Sequence, residues 1–135
     1  MFNLWKKEVK VVTRVSEYYY IIDLYVGKKK YYRALNCLLY RNENKIHIGD
    51  IIVQDSKPYS YIKYVGKGYG SLMMNELIKF AKENGYTYID GDIVSTDDSN
   101  NNDPTHRQRA IHFYKKFGFK CLPDEDHITK VELHL

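Results

Sequence analysis

Residues 66–71 read Gly-Lys-Gly-Tyr-Gly-Ser, and they separate an aromatic, β-branched half of the chain from a helical segment. Three glycines in five positions remove the Cβ atoms that would keep a ligand away from the backbone. A helix that begins near Gly70 offers unpaired amide groups and the positive end of its dipole, which suits a phosphate. The glycines alone are equally well explained by a flexible turn before a helix.

Two familiar phosphate-binding motifs fit this stretch poorly. A P-loop requires a first glycine where Tyr61 stands, and its Lys is followed by Ser or Thr, whereas Lys67 is followed by Gly68. A dinucleotide fingerprint has the spacing Gly-x-Gly-x-x-Gly, and here the spacing is Gly-x-Gly-x-Gly. Asp90 lies at a suitable distance for a ribose contact, but the upstream strands argue against that fold.

The segment before the glycines predicts an antiparallel meander. β-Branched and aromatic residues favour strands at Tyr18–Val26, Tyr31–Tyr40 and Lys45–Val53. Turns are predicted at 27–30 and 41–44. A further short strand or arm is predicted at Glu8–Arg14.

The segment after the glycines alternates helix and strand. Apolar residues recur at helical spacing up to Gly85, which stands where a helix C-terminus belongs. They are Leu72, Met73, Leu77, Phe80 and Ala81.

A strand is then predicted at Tyr86–Val94, followed by a solvated polar loop and a helix from Pro104 to about Phe117. Phe119–Leu122 and Ile128–Leu135 are predicted as closing strands. The order β-β-β-α-β-α-β-β indicates an α/β protein with a mixed, mostly antiparallel sheet and flanking helices.

Composition narrows the class of protein. A chain of 135 residues predicts a single domain over residues 1–135. No apolar run approaches the length that spans a bilayer, and the N-terminus lacks a signal-peptide pattern, so we expect a cytoplasmic protein that does not enter a membrane. Two cysteines without a CxxC pair indicate small buried side chains, and the spacing of the five histidines predicts no metal site.

A second motif occupies residues 110–119, which read Ala-Ile-His-Phe-Tyr-Lys-Lys-Phe-Gly-Phe. By itself it is the end of an amphipathic helix. Together with Gly68-Tyr69-Gly70, in this order, it resembles the GNAT superfamily of acetyl-CoA-dependent N-acetyltransferases, over roughly Lys45–Leu135. The positions that match the family's second pattern are Ala110, Phe113, Tyr114, Lys116, Gly118 and Phe119.

The resemblance implies a GNAT fold, acetyl-CoA as cosubstrate and a set of binding residues. Backbone amides of the loop and helix start would hold the pyrophosphate: Gly66, Lys67, Gly68, Tyr69, Gly70 and Ser71. The strand end at Ile51, Ile52 and Val53 would pair with the pantetheine amides as an added strand does. The flanking strands splay apart in this family, so we expect a bulge nearby.

The resemblance also implies a chemical role for Tyr114, which would protonate the departing CoA thiolate. The attacking amine must be neutral, so a base or an ordered water is required. Asp50 and His47 lie on the candidate strand, and the period of two places them on opposite faces. We prefer Asp50 as the base, the alternative being a solvated surface carboxylate.

Three features depart from the family pattern. Val65 stands where the family usually has Arg or Gln, and Lys63 or Lys67 are candidates to replace that phosphate contact. Arg107 occupies a position that is frequently Asn in the family, and with Arg109 it could approach the CoA phosphates. Residues 1–44 show no clear helix, although the family places one or two helices there that help form the acceptor site.

Three functions follow from these features. The leading hypothesis is an N-acetyltransferase acting on a small-molecule or peptide amine. The alternative is a non-catalytic GNAT-like module that binds CoA or a nucleotide.

Nucleic-acid binding ranks last, although residues 1–67 carry 13 Lys and Arg against 6 Asp and Glu, because strand tyrosines usually serve packing. Edge strands and abundant tyrosines are also compatible with a homodimer.

Overall fold

The computed structural model describes residues 8–51, 68–94, 104–123 and 128–135. These residues form seven strands, two α-helices and a short 3-10 helix at Arg41–Glu43. The strands are β1 (Val9–Val15), β2 (Tyr19–Val26), β3 (Lys29–Tyr40), β4 (Lys45–Ile51), β5 (Tyr88–Val94), β6 (Lys120–Cys121) and β7 (Ile128–His134). The α-helices are α1 (Tyr69–Glu83) and α2 (Pro104–Lys116).

One mixed sheet contains all seven strands, in the order β1-β2-β3-β4-β5-β7-β6. Neighbours are antiparallel except β4 and β5, which run parallel and are connected through α1. The predicted meander and fold class are therefore confirmed, and the predicted arm at Glu8–Arg14 forms the edge strand β1. The predicted turn at 27–30 is shorter than expected, because β3 begins at Lys29.

The first two strands are joined by a charged contact. Arg14 on β1 donates two hydrogen bonds to the Asp23 carboxylate on β2, at 2.8 and 2.9 Å. The same carboxylate accepts a hydrogen bond from the backbone amide of Arg33, whose φ is 54°. The Arg14 guanidinium holds the pKa of Asp23 below its usual value. This carboxylate thus anchors a bulge where the β2–β3 register shifts between Ile22 and Leu24.

The hydrophobic core lies on one face of the sheet. Both helices contribute to it, α1 through residues such as Met73 and Leu77 and α2 through Ala110 and Tyr114. The facing strand residues are Tyr20, Ile22, Leu24, Val26, Leu35, Cys37, Leu39, Ile46, Ile48, Ile89, Ile93 and Val131. The opposite face is more polar, and neither described helix buries its apolar stripe there. Neither helix is long and apolar enough to cross a bilayer.

Strands β4 and β5 are paired only along their first halves. Their ladder runs from Lys45 opposite Tyr88 to Ile48 opposite Gly91 and then stops, although both strands continue for three more residues. A pair of parallel strands that lose contact leaves backbone groups and side chains exposed between them. Such a place is where open α/β sheets accept ligands.

A bulge in β4 occurs at the same point, as expected. Cys37 pairs with Ile48 and Asn36 pairs with Asp50, so Gly49 is the extra residue. An extra residue reverses the alternation of side chains beyond it. Asp50 therefore lies on the same face as His47, and the prediction that they face opposite sides was wrong.

Candidate active site between the ends of β4 and β5

A small cavity of about 70 Å³ opens between the unpaired ends of β4 and β5. It is lined by Ile48, Gly49, Asp50, Ile51, Asp92, Ile93 and Tyr114. The cavity thus lies between the ends of β4 and β5, and the Tyr114 side chain of α2 also lines it. A larger groove of about 500 Å³ lies farther along β3, near Tyr18 and Tyr40, and lacks Tyr114 and the helix N-terminus.

Tyr114 is held rigidly at the floor of this cavity. It is 3% exposed, and its ring meets Phe113 and Phe119 edge-on, with centroids 5.6 and 5.2 Å away. The helix ends just after it, where Gly118 adopts a φ of 91° that other residues rarely take. No group of the described residues hydrogen-bonds to its hydroxyl, which leaves that hydroxyl available to a ligand in the cavity.

Burial raises the pKa of Tyr114, with further contributions from Cys37, Asp50 and Asp92. Removing a phenol from water disfavours its anion, and nearby carboxylates disfavour it further. Tyr114 therefore carries its proton throughout the physiological range. A protonated phenol facing a reaction cavity can act as a general acid.

Two carboxylates stand at the opening of the cavity, one on each strand. Asp50 and Asp92 are both exposed, and neither forms an ion pair with another described residue. The Asp50 carboxylate accepts a hydrogen bond of 2.8 Å from the amide of Ile51, which fixes its direction. A carboxylate at this place can accept a proton from a group that enters the cavity.

His47 lies on the same face as Asp50 but is engaged elsewhere. Its Nδ1 is 2.7 Å from Oδ1 of Asp90, and the Lys130 ammonium is 3.5 Å from Oδ2 of that residue. Because an ionised carboxylate only accepts hydrogen bonds, Nδ1 carries the proton. The buried Asp90 carboxylate thus has two basic partners, His47 and Lys130. Because His47 lies on β4 and Asp90 on β5, their contact joins the two strands along the half where they are paired.

The N-terminus of α1 forms the second part of the site. Gly68 precedes the helix with a φ of 83°, and a Cβ there would meet no atom within 4 Å. The first turn closes with a 3.0 Å bond from the Leu72 amide to the Gly68 carbonyl. Open space above helix amides fits an anionic group.

A cation from the other helix stands beside this N-terminus. Lys116, at the end of α2, donates a hydrogen bond of 2.7 Å from Nζ to Oγ of Ser71. The ammonium also lies over the rings of Phe113 and Phe117, at 5.7 and 5.3 Å from their centroids. The two motifs of the sequence therefore meet in space, through Lys116 and Ser71.

The remaining predicted binding residues divide between described and undescribed parts of the chain. Ile51 lines the cavity, whereas Ile52, Val53, Gly66 and Lys67 lie outside the described residues. The guanidinium of Arg107 donates a hydrogen bond to Oγ1 of Thr129 on β7. Tyr69 and Gly70 occupy the first turn of α1, where Gly70 is buried.

Residues 36–121 match the family model of the acetyltransferase (GNAT) domain. The chain belongs to the GNAT acetyltransferase family. The resemblance predicted from the two motifs is confirmed by this match, which also includes β4, α1, β5 and α2 in full.

One curated relative of this GNAT chain is the uncharacterized protein YocC of Bacillus subtilis (strain 168). The two are 32% identical over an alignment of 101 residues, and the match covers 73% of this chain and 52% of YocC. The chain thus spans about half the length of this relative.

Solved structures share the fold at low sequence identity. A Bacillus subtilis acetyltransferase in complex with CoA superposes with a TM-score of 0.59 at 14% identity, covering 96% of this chain and 99% of the other. A GNAT family acetyltransferase from Elizabethkingia anophelis with acetyl-CoA bound superposes with a TM-score of 0.54 at 10% identity, covering 94% and 98%.

The structure adds two residues that the sequence did not single out in this GNAT chain. Asp92 lies near the carboxyl end of β5, as Asp50 does on β4, and the parallel pairing of those strands was the signal that could have found it. Lys116 belongs to the second motif, but only the fold brings it to Ser71.

Proposed function

We propose that this chain transfers an acetyl group from acetyl-CoA to a primary amine of a small-molecule or peptide acceptor. The observation that carries the proposal is the buried Tyr114 side chain, which lines the cavity between the unpaired ends of β4 and β5. Family membership supports acetyl transfer in general. The positions of Tyr114, Asp50 and the α1 N-terminus support this particular chemistry.

The binding roles divide between backbone and side chains. Amides of the first turn of α1, Gly68 to Ser71, hold the pyrophosphate together with the Gly66 and Lys67 segment. The Lys116 ammonium adds a positive charge at that turn, where Val65 replaces the Arg or Gln of the family pattern. The end of β4, from Ile51 through Val53, pairs with the amides of the pantetheine arm.

The transfer step proceeds by direct attack of the amine. The lone pair of the acceptor nitrogen forms a bond to the thioester carbonyl carbon, and the carbon–sulfur bond breaks with its electron pair leaving on sulfur. The Tyr114 hydroxyl gives its proton to that sulfur, and Asp50 takes the proton that the nitrogen must lose. Solvent returns a proton to Tyr114 and removes one from Asp50, so the products are an amide and CoA thiol.

The raised pKa of Tyr114 is compatible with this role. It keeps the proton on the phenol until a stronger base appears beside it. A thiolate released into the same buried environment is also poorly solvated, so its basicity rises for the same reason. The proton transfer therefore costs less than the raised pKa of Tyr114 alone would indicate.

The substitution Tyr114→Phe tests the proposal. It removes only the hydroxyl, so turnover with an amine panel should fall about a hundred-fold or more. CoA affinity measured by calorimetry should change little. Tyr86→Phe is the matched control, because the Tyr86 hydroxyl is also buried but lies before β5, away from the cavity, and has no hydrogen-bond partner among the described residues.

The outcomes separate the two hypotheses that the sequence left open. Unchanged turnover in Tyr114→Phe contradicts the acid role. Tight CoA binding without acetyl transfer to any amine of a broad panel contradicts the transferase and favours the non-catalytic module.

A further inference from the structure

The negative charge at the mouth of the cavity exceeds what the transfer reaction needs. Asp50 and Asp92 both line the cavity, one from each strand, and both are exposed. A direct attack requires one group to accept one proton. The second carboxylate has no role in the bond-forming step.

Among the residues that the structure describes, no cation forms an ion pair with either carboxylate. Lys130 stands directly opposite Asp92 in the β5–β7 register, yet its ammonium is placed 3.5 Å from Asp90. His47 contacts Asp90 as well. His47 and Lys130 therefore both pair with the buried Asp90 carboxylate. Neither of them pairs with Asp50 or Asp92 at the opening of the cavity.

A second observation ties the carboxylates to the reaction position. The Tyr114 side chain is more than nine-tenths buried and lines the same cavity, and no described group hydrogen-bonds to its hydroxyl. An unpartnered hydroxyl on an otherwise buried side chain indicates where a ligand atom is received. Asp50 and Asp92 therefore flank a ligand position and are more than two acidic residues on a surface.

We propose that the acceptor carries a second cationic group and that Asp92 binds it, while Asp50 takes the proton of the reacting amine. The inference rests on the proposed function and specifies its substrate class as diamines and longer polyamines. The roles divide in this way because Asp50 is oriented by the Ile51 amide, whereas no described residue hydrogen-bonds to the Asp92 carboxylate. A charged acceptor tail is held by Asp92 as an ion pair at the edge of the cavity.

The test compares two acceptors of matched length, 1,4-diaminobutane and butylamine, in the full chain with saturating acetyl-CoA. We expect kcat/KM to favour the diamine about three- to ten-fold, the range of a partly exposed ion pair. Asp92→Asn should remove that preference by raising KM for the diamine toward the value for butylamine. Glu43→Gln, an exposed carboxylate in the 3-10 helix, is the charge-matched control and should keep the preference.

Each outcome bears on a different claim. Equal use of the two amines by the unaltered chain, or a preference that survives Asp92→Asn, overturns the inference and leaves the proposed function intact. Absence of transfer to every amine, with CoA bound, contradicts the proposed function and this inference with it. A thermal unfolding curve verifies that Asp92→Asn is folded, and Asp92→Ser serves as a second variant.

Discussion

Two side chains of one helical turn serve different parts of the site. Tyr114 and Lys116 are two residues apart on α2, so they leave the helix in different directions. Tyr114 lines the cavity between β4 and β5, and Lys116 reaches Ser71 on α1. In the proposed mechanism, the second motif of the sequence therefore combines an acid for the thiolate with a cation for the phosphates, within one turn.

Lys116 gives the first prediction at this scale. Lys116→Gln should weaken CoA binding about three- to ten-fold, because a charge beside the phosphates is lost at a solvent-exposed place. Titration calorimetry at low and moderate salt measures the effect, which should shrink as salt screens the charge. Lys115→Gln, one residue earlier and also exposed, is the control. Equal affinities for the two variants would show that Lys116 serves only α1–α2 packing.

At the scale of elements, the parallel strands β4 and β5 create the site by ceasing to pair. Their first halves share a ladder, and the bulge at Gly49 coincides with its end. The bulge turns Asp50 onto the face of His47 and toward the cavity mouth. A glycine fits this position because a Cβ on residue 49 would lie 2.6 Å from Oδ1 and 3.3 Å from the carbonyl oxygen of Asn36.

Gly49 gives the prediction for this element. Gly49→Ala should lower the free energy of unfolding by about 1–3 kcal/mol, because the added methyl group must displace the Asn36 side chain. Urea unfolding measures it. Asn36→Gly in the same chain removes the side-chain oxygen and should recover part of the loss, since only the carbonyl contact remains. An additive effect of the two substitutions would show that the clash is not the cause.

At the scale of the whole molecule, one sheet face is covered by the helices and the other is polar. Tyrosines buried in the covered face keep their protons, because burial raises the pKa of Tyr20 and of Tyr114 well above the ordinary value of 10.0. The unfolded chain releases those protons near pH 10. The contribution of these two tyrosines to the free energy of unfolding is therefore fully present below pH 10 and is lost as the pH rises further.

This linkage predicts alkaline unfolding. Between pH 10 and 11 each of the two tyrosines should lower the free energy of unfolding by about 1 kcal/mol, and the slope should approach about 1.4 kcal/mol per pH unit above pH 11. Chemical unfolding at a series of pH values measures the slope. Tyr20→Phe should reduce it by the share of one tyrosine, and an unchanged slope in this variant would contradict the assignment.

Most strands and helices were predictable from the sequence, because the patterns that indicate them are local. Alternating β-branched residues, apolar residues at helical spacing and the glycines at 85 and 118 act within a few residues, so the strands, helices and their ends could be recognised. Gly85 and Gly118 indeed take positive φ. The paired motifs identified the GNAT family because they lie in a fixed order along the chain.

The sequence by itself determined the fold class, the family and Tyr114 as the candidate acid, because these depend on local spacing and on two contiguous motifs. The tertiary structure decided which polar side chains lie near one another. The bulge placed Asp50 with His47, parallel pairing brought Asp92 opposite Asp50 across the cavity, and the packing of α2 carried Lys116 to Ser71. Asp50 and Asp92 are 42 positions apart and Ser71 and Lys116 are 45 positions apart, and electrostatics depends on distance in space, which no local pattern encodes.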